Sequence, residues 1–287
     1  MSNKRERQRQ NREERLQAEA KVAAAAKRKR LIVRWVIIGV LVLGAALAYS
    51  LLSDSGDSQR VAGGASVTSE AIPADTALTA SPDCPAADGS AARTTTFDAR
   101  PPICIDDDTI YAADFATTAG DFTAILDPSL DLASVNNFIV LARYHAYDGT
   151  VFHRVIDDFV VQGGDVQNRF GIGDPGYRFT GAFPPEDVPY QVGSLAMANS
   201  SNPSSNGSQF FIVTGGAGAN LPGNYSLMGH VTTGVDVAVE MQRTSTETRD
   251  VDGRPVNDVP VEDIVVESVT IREASTDEID EYETTIG

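Results

Sequence analysis

The chain has 287 residues, 42% of them apolar and 7% aromatic, enough for one well-packed core, although length alone sets no domain count. Its net charge of −17 is unevenly spread: residues 1–34 hold 12 Lys and Arg against 4 Asp and Glu, while the other 253 hold 11 against 36. An acidic body argues against nucleic acid as a partner of the folded part, and the basic arm implies that the two ends meet different surroundings.

In chain order, a basic arm (1–30) ends in Lys27-Arg28-Lys29-Arg30 and runs into residues 31–52, whose only charge is Arg34. Roughly 20 apolar residues cross a bilayer as a helix, so this segment is expected to be a single transmembrane helix. Basic residues before it and Asp54 and Asp57 after it place the N-terminus in the cytoplasm and the acidic body outside the cell membrane. Trp35 and Tyr49 fall near the two interfaces. Ala46-Leu47-Ala48 resembles a signal-cleavage site, but the apolar run continues through Leu51-Leu52, which favours a retained anchor. The arm is expected to set topology and to touch anionic lipid of the inner leaflet.

Residues 53–83, rich in Ser, Gly, Ala, Asp and Thr, read as a flexible linker. Cys84 and Cys104, the only two cysteines, open an extension over 84–108. On the outer side of a membrane a disulfide between them is favoured over two free thiols, and no His or further Cys accompanies them to suggest a metal site. From 109 to 272 the texture becomes short β-rich runs between turns. Residues 110–116 and 122–126 predict a hairpin around Ala119-Gly120-Asp121. Val135, Phe138, Ile139 and Ala142 recur at helical spacing, predicting a helix over 134–143 with Ser134 as N-cap. Apolar runs follow at 151–156, 159–161, 193–198 and 210–214, then a short helix at 235–242 and strands over 261–271. Many short strands with two helices predict a closed, mainly β barrel capped by helices. The stretch 273–287 reads as a loose acidic tail.

Two segments carry unusual chemistry. One is Phe152-His153-Arg154, continuing through Phe159, Val160 and Gln162-Gly163-Gly164-Asp165; the other is Met197-Ala198-Asn199 followed by Asn206-Gly207-Ser208-Gln209-Phe210-Phe211. An Arg inside an apolar strand must be paired or used, since burying an unpaired charge is costly. Pattern alone leaves open an ordinary strand with Arg154 exposed at its end and Phe211 simply in the core. With both strings present in this order and spacing, however, residues 109–272 resemble the cyclophilins, and the chain is similar to membrane-anchored cyclophilins of actinobacterial type.

That resemblance implies an eight-stranded antiparallel barrel with two capping helices and a shallow groove on one face. It implies peptidyl-prolyl cis–trans isomerase activity on proline-containing polypeptides, here as a folding helper for extracytoplasmic proteins. Arg154 would be the catalytic cation, and Phe159, Val160, Phe211 and Leu221 the proline pocket. Gln162, Asn199 and Gln209 would contact the substrate backbone, with Ala198 and Tyr225 in the groove. Rotation breaks no bond, so it calls for no nucleophile, metal or cofactor. A proline-segment binding module or chaperone with little catalysis is the alternative. The chain departs from the family at Asn220, where animal members carry Trp, at Tyr225, where many carry His, and at Val160, where Met is usual; reduced affinity for cyclosporin-like ligands is expected.

Gly171-Ile172-Gly173-Asp174-Pro175-Gly176 spells a dinucleotide-binding pattern, but Pro175 argues for a loop. His153 is expected to be a hydrogen-bonded structural residue. Ser208 lacks the G-x-S-x-G turn of a hydrolase nucleophile.

Overall fold

The computed structural model describes residues 83–167, 170–184, 188–200 and 202–286. The basic arm, the predicted transmembrane segment and the linker up to residue 82 lie outside the described residues. Among the described residues no helix is long and apolar enough to cross a membrane.

The predicted hairpin forms as β1 (Tyr111–Thr117) and β2 (Phe122–Leu126), closed by a hydrogen bond from Gly120 N to Thr117 O of 3.1 Å. Helix α1 (Pro128–Arg143) follows. It starts six residues before the expected position. Asp127 caps it by accepting from Ser129 N at 2.9 Å, and Pro128, which has no N–H to leave unpaired, occupies the first turn. A kink falls at Asp131 (φ −161°, ψ 93°), whose carboxylate accepts from Ala133 N, Ser134 N and Ser134 Oγ. Asp131, not Ser134, therefore caps the second segment. The predicted apolar face is buried: Val135, Phe138, Ile139 and Ala142 are all at most 1% exposed.

The remaining strands are β3 (Arg154–Ile156), β4 (Val160–Gly163), β5 (Ser194–Met197), β6 (Phe210–Val213), β7 (Leu227–Thr233), β8 (Thr246–Val251), β9 (Arg254–Pro260) and β10 (Val266–Glu273). Between them lie α2 (Gly216–Ala219) and α3 (Val235–Met241); α4 (Thr276–Ile286) ends the chain. Eight strands join antiparallel in the order β10-β1-β2-β7-β5-β6-β4-β3, and β8 and β9 form a separate hairpin. The expectation of a closed barrel is corrected to an open half-barrel. No ladder joins the two end strands, β3 and β10. The seam is bridged instead by Val151 opposite Val265 and by backbone bonds from Gly149 N to Val266 O and Phe152 N to Ile264 O.

Inside the sheet, α1 packs on an aromatic cluster centred on Phe210, which meets Phe115, Phe138, Tyr147 and Phe152 edge-on at 5.5–6.0 Å. Such pairs add about 0.5–1.5 kcal/mol each beyond the area they bury.

Two ends of the domain prove more ordered than their composition suggests. The expected loose tail is helix α4, because Tyr282 is buried against Ala112 and Ile125 and donates to Asp127 Oδ2 at 3.2 Å. Arg272 also pairs with Asp114 and Glu278, and its guanidinium holds the Glu278 carboxyl down to about 2. At the other end, Cys84 and Cys104 are joined as a disulfide. The extension they close is sewn to α1: Cys104 N donates to Asn136 Oδ1 and Asn136 Nδ2 donates to Pro102 O. Its Phe97 belongs to the main core, 5.3 Å from Tyr144 and 6.3 Å from Tyr177.

Replacing both cysteines by Ser is expected to lower the unfolding free energy by about 3 kcal/mol, on the chain-entropy account of a loop this long. Phe97→Ala is expected to cost about 3–5 kcal/mol through the cavity it leaves. Denaturant unfolding of the variants measures both. Wild-type stability in Phe97→Ala would mean that the extension lies outside the cooperative core.

Candidate active site

Successive residues of a strand point to opposite faces. In β4, β5 and β6, Val161, Leu195, Met197, Phe210 and Ile212 face the main core, while Val160, Ala196, Phe211 and Val213 form a second cluster on the outer face. Register then aligns the polar groups with that outer cluster. Arg154 pairs with Gln162, Gln162 with Phe211, and Phe211 with Ala196, so one row crosses four strands.

A pocket of about 100 Å³ opens over this row, lined by Arg154, Phe159, Val160, Gln162, Ala198, Asn199, Phe211, Leu221 and Tyr225. Nine of the ten groove residues expected from the sequence thus converge on one pocket. The tenth, Gln209, lines a neighbouring pocket of about 300 Å³ that shares Gln162, Ala198 and Asn199. Tyr225 stands edge-on to Phe211 at 5.3 Å and is held by Tyr190, whose hydroxyl donates to Tyr225 O at 2.6 Å and accepts from Tyr225 N at 3.1 Å. Asn199 Nδ2 donates to Asn224 O. Phe159 follows Asp158, which has a left-handed φ of 54° and accepts from Gly216 N at 2.8 Å, tying the β3–β4 turn to α2. Exposed Asn220 donates back to Gly216 O at 2.6 Å and does not line the pocket.

The polar groups form a connected chain. Arg154 Nη1 donates to Gln162 Oε1 at 3.5 Å, Gln162 Nε2 to Gln209 Oε1 at 3.0 Å, and Gln209 Nε2 to the carbonyls of Gly171 and Gly173. Residues 171–176 are indeed a loop. Asp165 fixes it by accepting from Gly173 N at 3.1 Å, and the extension braces its far end, where Phe97 N donates to Pro175 O. At Gly176 (φ +97°) any Cβ would collide with the Phe97 carbonyl, so only glycine fits. Each amide orientation follows from its partners, so the chain is held before any substrate arrives.

Sequence reasoning missed Asp258, whose carboxylate lies 3.6 Å from Arg154 Nε, and the β8–β9 hairpin that carries it. The hairpin itself was signalled by Asp252-Gly253 between alternating runs. Ser208 is buried, and neither its Oγ nor the His153 ring has a hydrogen-bond partner among the described residues, so no nucleophile–base pair exists there.

Fold and pocket together define a mainly β domain of cyclophilin-like architecture, with a guanidinium, amides and apolar side chains lining one pocket. Residues 112–271 match the family model described as cyclophilin type peptidyl-prolyl cis-trans isomerase/CLD. The chain is 38% identical over 161 residues to peptidyl-prolyl cis-trans isomerase B of Streptomyces anulatus, covering 51% of this chain and 90% of that protein. It is 45% identical over 112 residues to the probable peptidyl-prolyl cis-trans isomerase A of Mycobacterium leprae, covering 38% of this chain and 58% of that protein. A crystal structure of a Cryptosporidium parvum cyclophilin type isomerase superposes with a TM-score of 0.50 at 25% identity, covering 58% of this chain and 99% of that one. A second structure of that isomerase, in the presence of the dipeptide Ala-Pro, gives a TM-score of 0.50 at 27% identity and covers 57% of this chain and 99% of that one. The chain belongs to the cyclophilin-type family, and its domain is a peptidyl-prolyl cis–trans isomerase.

His153 departs from its expected hydrogen-bonded role. It is 2% exposed, and Gly171 (φ +79°) packs so closely that a Cβ there would lie 2.5 Å from Nε2. Burial drives its pKa down to about 4 against the upward pull of Asp165, with Arg154 adding to the drop. The unfolded chain, with a His near 6.5, takes up this proton first. Stability is therefore full above pH 6.5 and falls as pH drops toward 4. His153→Gln should flatten the dependence of unfolding free energy on pH in that window. An unchanged slope would show that His153 is not the group responsible.

Proposed function

We propose that the 100 Å³ pocket receives the proline ring of an X-Pro segment and that Arg154 is the catalytic cation. The observation that carries this reading is one ring-sized pocket lined both by the Arg154 guanidinium and Gln162 and by Phe159, Val160, Phe211 and Leu221. The Cryptosporidium parvum relative, whose structure was determined in the presence of Ala-Pro, supports a proline-containing substrate.

Amide resonance raises the rotational barrier to about 18–20 kcal/mol, and uncatalysed exchange takes roughly 10–100 s. As the prolyl nitrogen pyramidalises it loses conjugation and gains a lone pair. A guanidinium, protonated at any working pH, donates to that nitrogen and stabilises the twisted amide more than either planar isomer. Phe159, Val160, Phe211 and Leu221 grip the ring. Gln162, Asn199 and Gln209 hold the flanking backbone, so one half of the bond turns against a fixed other half.

The reading extends to place. Residues 31–52 are the single-pass anchor of a membrane-anchored, actinobacterial-type enzyme, with the basic arm cytoplasmic against anionic lipid and the isomerase domain outside, acting on extracytoplasmic proteins. The Cys84–Cys104 disulfide supports this, since such bonds persist in oxidising compartments. Protease added to intact cells should digest the domain and spare the arm; full protection of the domain would overturn the topology.

Arg154→Ala is expected to lower kcat/KM at least about a hundredfold in a proline-isomerisation assay, the scale of losing one preorganised donor. Far-ultraviolet circular dichroism should be unchanged. A folded variant with near-wild-type activity would refute the role of Arg154. Cyclosporin-like macrocycles are expected to bind more weakly than to relatives bearing Trp at the Asn220 position, and nanomolar inhibition would contradict this.

A further inference from the structure

The catalytic cation has a second neighbour that comes from outside the eight-stranded sheet. Strand β9 lies alongside β3, and its Asp258 carboxylate approaches Arg154 Nε to 3.6 Å. The hairpin reaches this position through a β-bulge. Glu247 pairs with Val259 and Arg249 with Val256, so Thr248 alone faces both Asn257 and Asp258. Asp258 takes up the extra residue with a left-handed φ of 62°, a conformation that Asp and Asn tolerate better than other non-glycine residues. A bulge flips the side-chain alternation of its strand and so re-aims a side chain. Thr248 Oγ1 donates to Asn257 Oδ1 at 2.9 Å across the bulge, and Arg249 Nη2 donates to Pro260 O at 2.9 Å just beyond it.

We infer that Asp258 is a positioning residue for the isomerase reaction: it holds the Arg154 guanidinium at Nε, opposite the Gln162 contact at Nη1, so that the cation enters the pocket in one plane. The inference rests on Arg154 being the catalytic cation. Two of the three guanidinium nitrogens have a polar neighbour, an anion from the hairpin at 3.6 Å and an amide from the sheet at 3.5 Å. Both side chains of the ion pair are about 40% exposed, and a pair so open to solvent adds little to stability. Its value lies in orientation. A long, freely rotating side chain would otherwise have to be ordered when substrate binds, and small misplacements of a reacting group cost rate steeply.

The test is a double-mutant cycle in the full chain, purified in detergent, with R154A, D258N and the combination. D258N keeps a side chain that accepts the left-handed backbone, so the variant removes the charge without straining the bulge. In the wild-type background D258N is expected to lower kcat about tenfold or more while KM changes less than twofold, with an unchanged thermal midpoint. In the R154A background it is expected to change nothing further. Wild-type kcat in D258N, a gain in kcat, or the same fold-loss in both backgrounds would overturn the inference. Near-wild-type activity in R154A alone would instead overturn the assignment of Arg154 itself, whatever D258N does.

Discussion

The pairing of Gln162 with Phe211 is the contact on which the site depends. It sets β4 and β6 in the one register that sends Val161, Phe210 and Ile212 inward and Val160, Phe211 and Val213 outward. A slip by one residue would exchange the two sets, because side chains alternate with a period of two. Phe210 would leave the aromatic core and Phe211 would leave the pocket floor. Two adjacent phenylalanines therefore serve different structures, one on each face of the same strand.

Order spreads from that row along hydrogen bonds as well as through packing. Gln162 orients Gln209, Gln209 is gripped by the carbonyls of Gly171 and Gly173, and Asp165 and Phe97 fix the loop that supplies them. The extension before the first strand thus reaches the polar wall of the larger pocket through a single loop. Buried His153 sits under that loop, where Gly171 approaches it closely. The opposite end of the chain behaves similarly: α4 covers the outer face of β1 and β2 with Tyr282 and anchors to the α1 cap through Asp127.

Much of this was legible in the residues. The first hairpin, the apolar stripe of α1 and the disulfide followed from periodicity and compartment, and the groove residues from the family resemblance that two motifs carry. The errors have physical causes. Asp131 outcompeted Ser134 as a cap because its carboxylate accepts three hydrogen bonds at once. The tail read as loose because its acidic composition hides a single buried tyrosine. The barrel read as closed because strand count says nothing about whether the last two edges meet, and here β3 and β10 end the sheet without pairing.

Two local segments, Phe152–Asp165 and Met197–Phe211, carried the family resemblance, and that resemblance named the side chains that line the pocket, including Leu221 and Tyr225 outside both segments. The sequence by itself also determined which residues could be buried. Only the tertiary structure decided that Arg154 has an anionic neighbour. Asp258 stands more than one hundred positions along the chain, on a hairpin whose hydrogen bonds are its own. Its direction depends on one extra residue in a bulge, and the meeting of two separate sheets is fixed by packing, which no local pattern encodes.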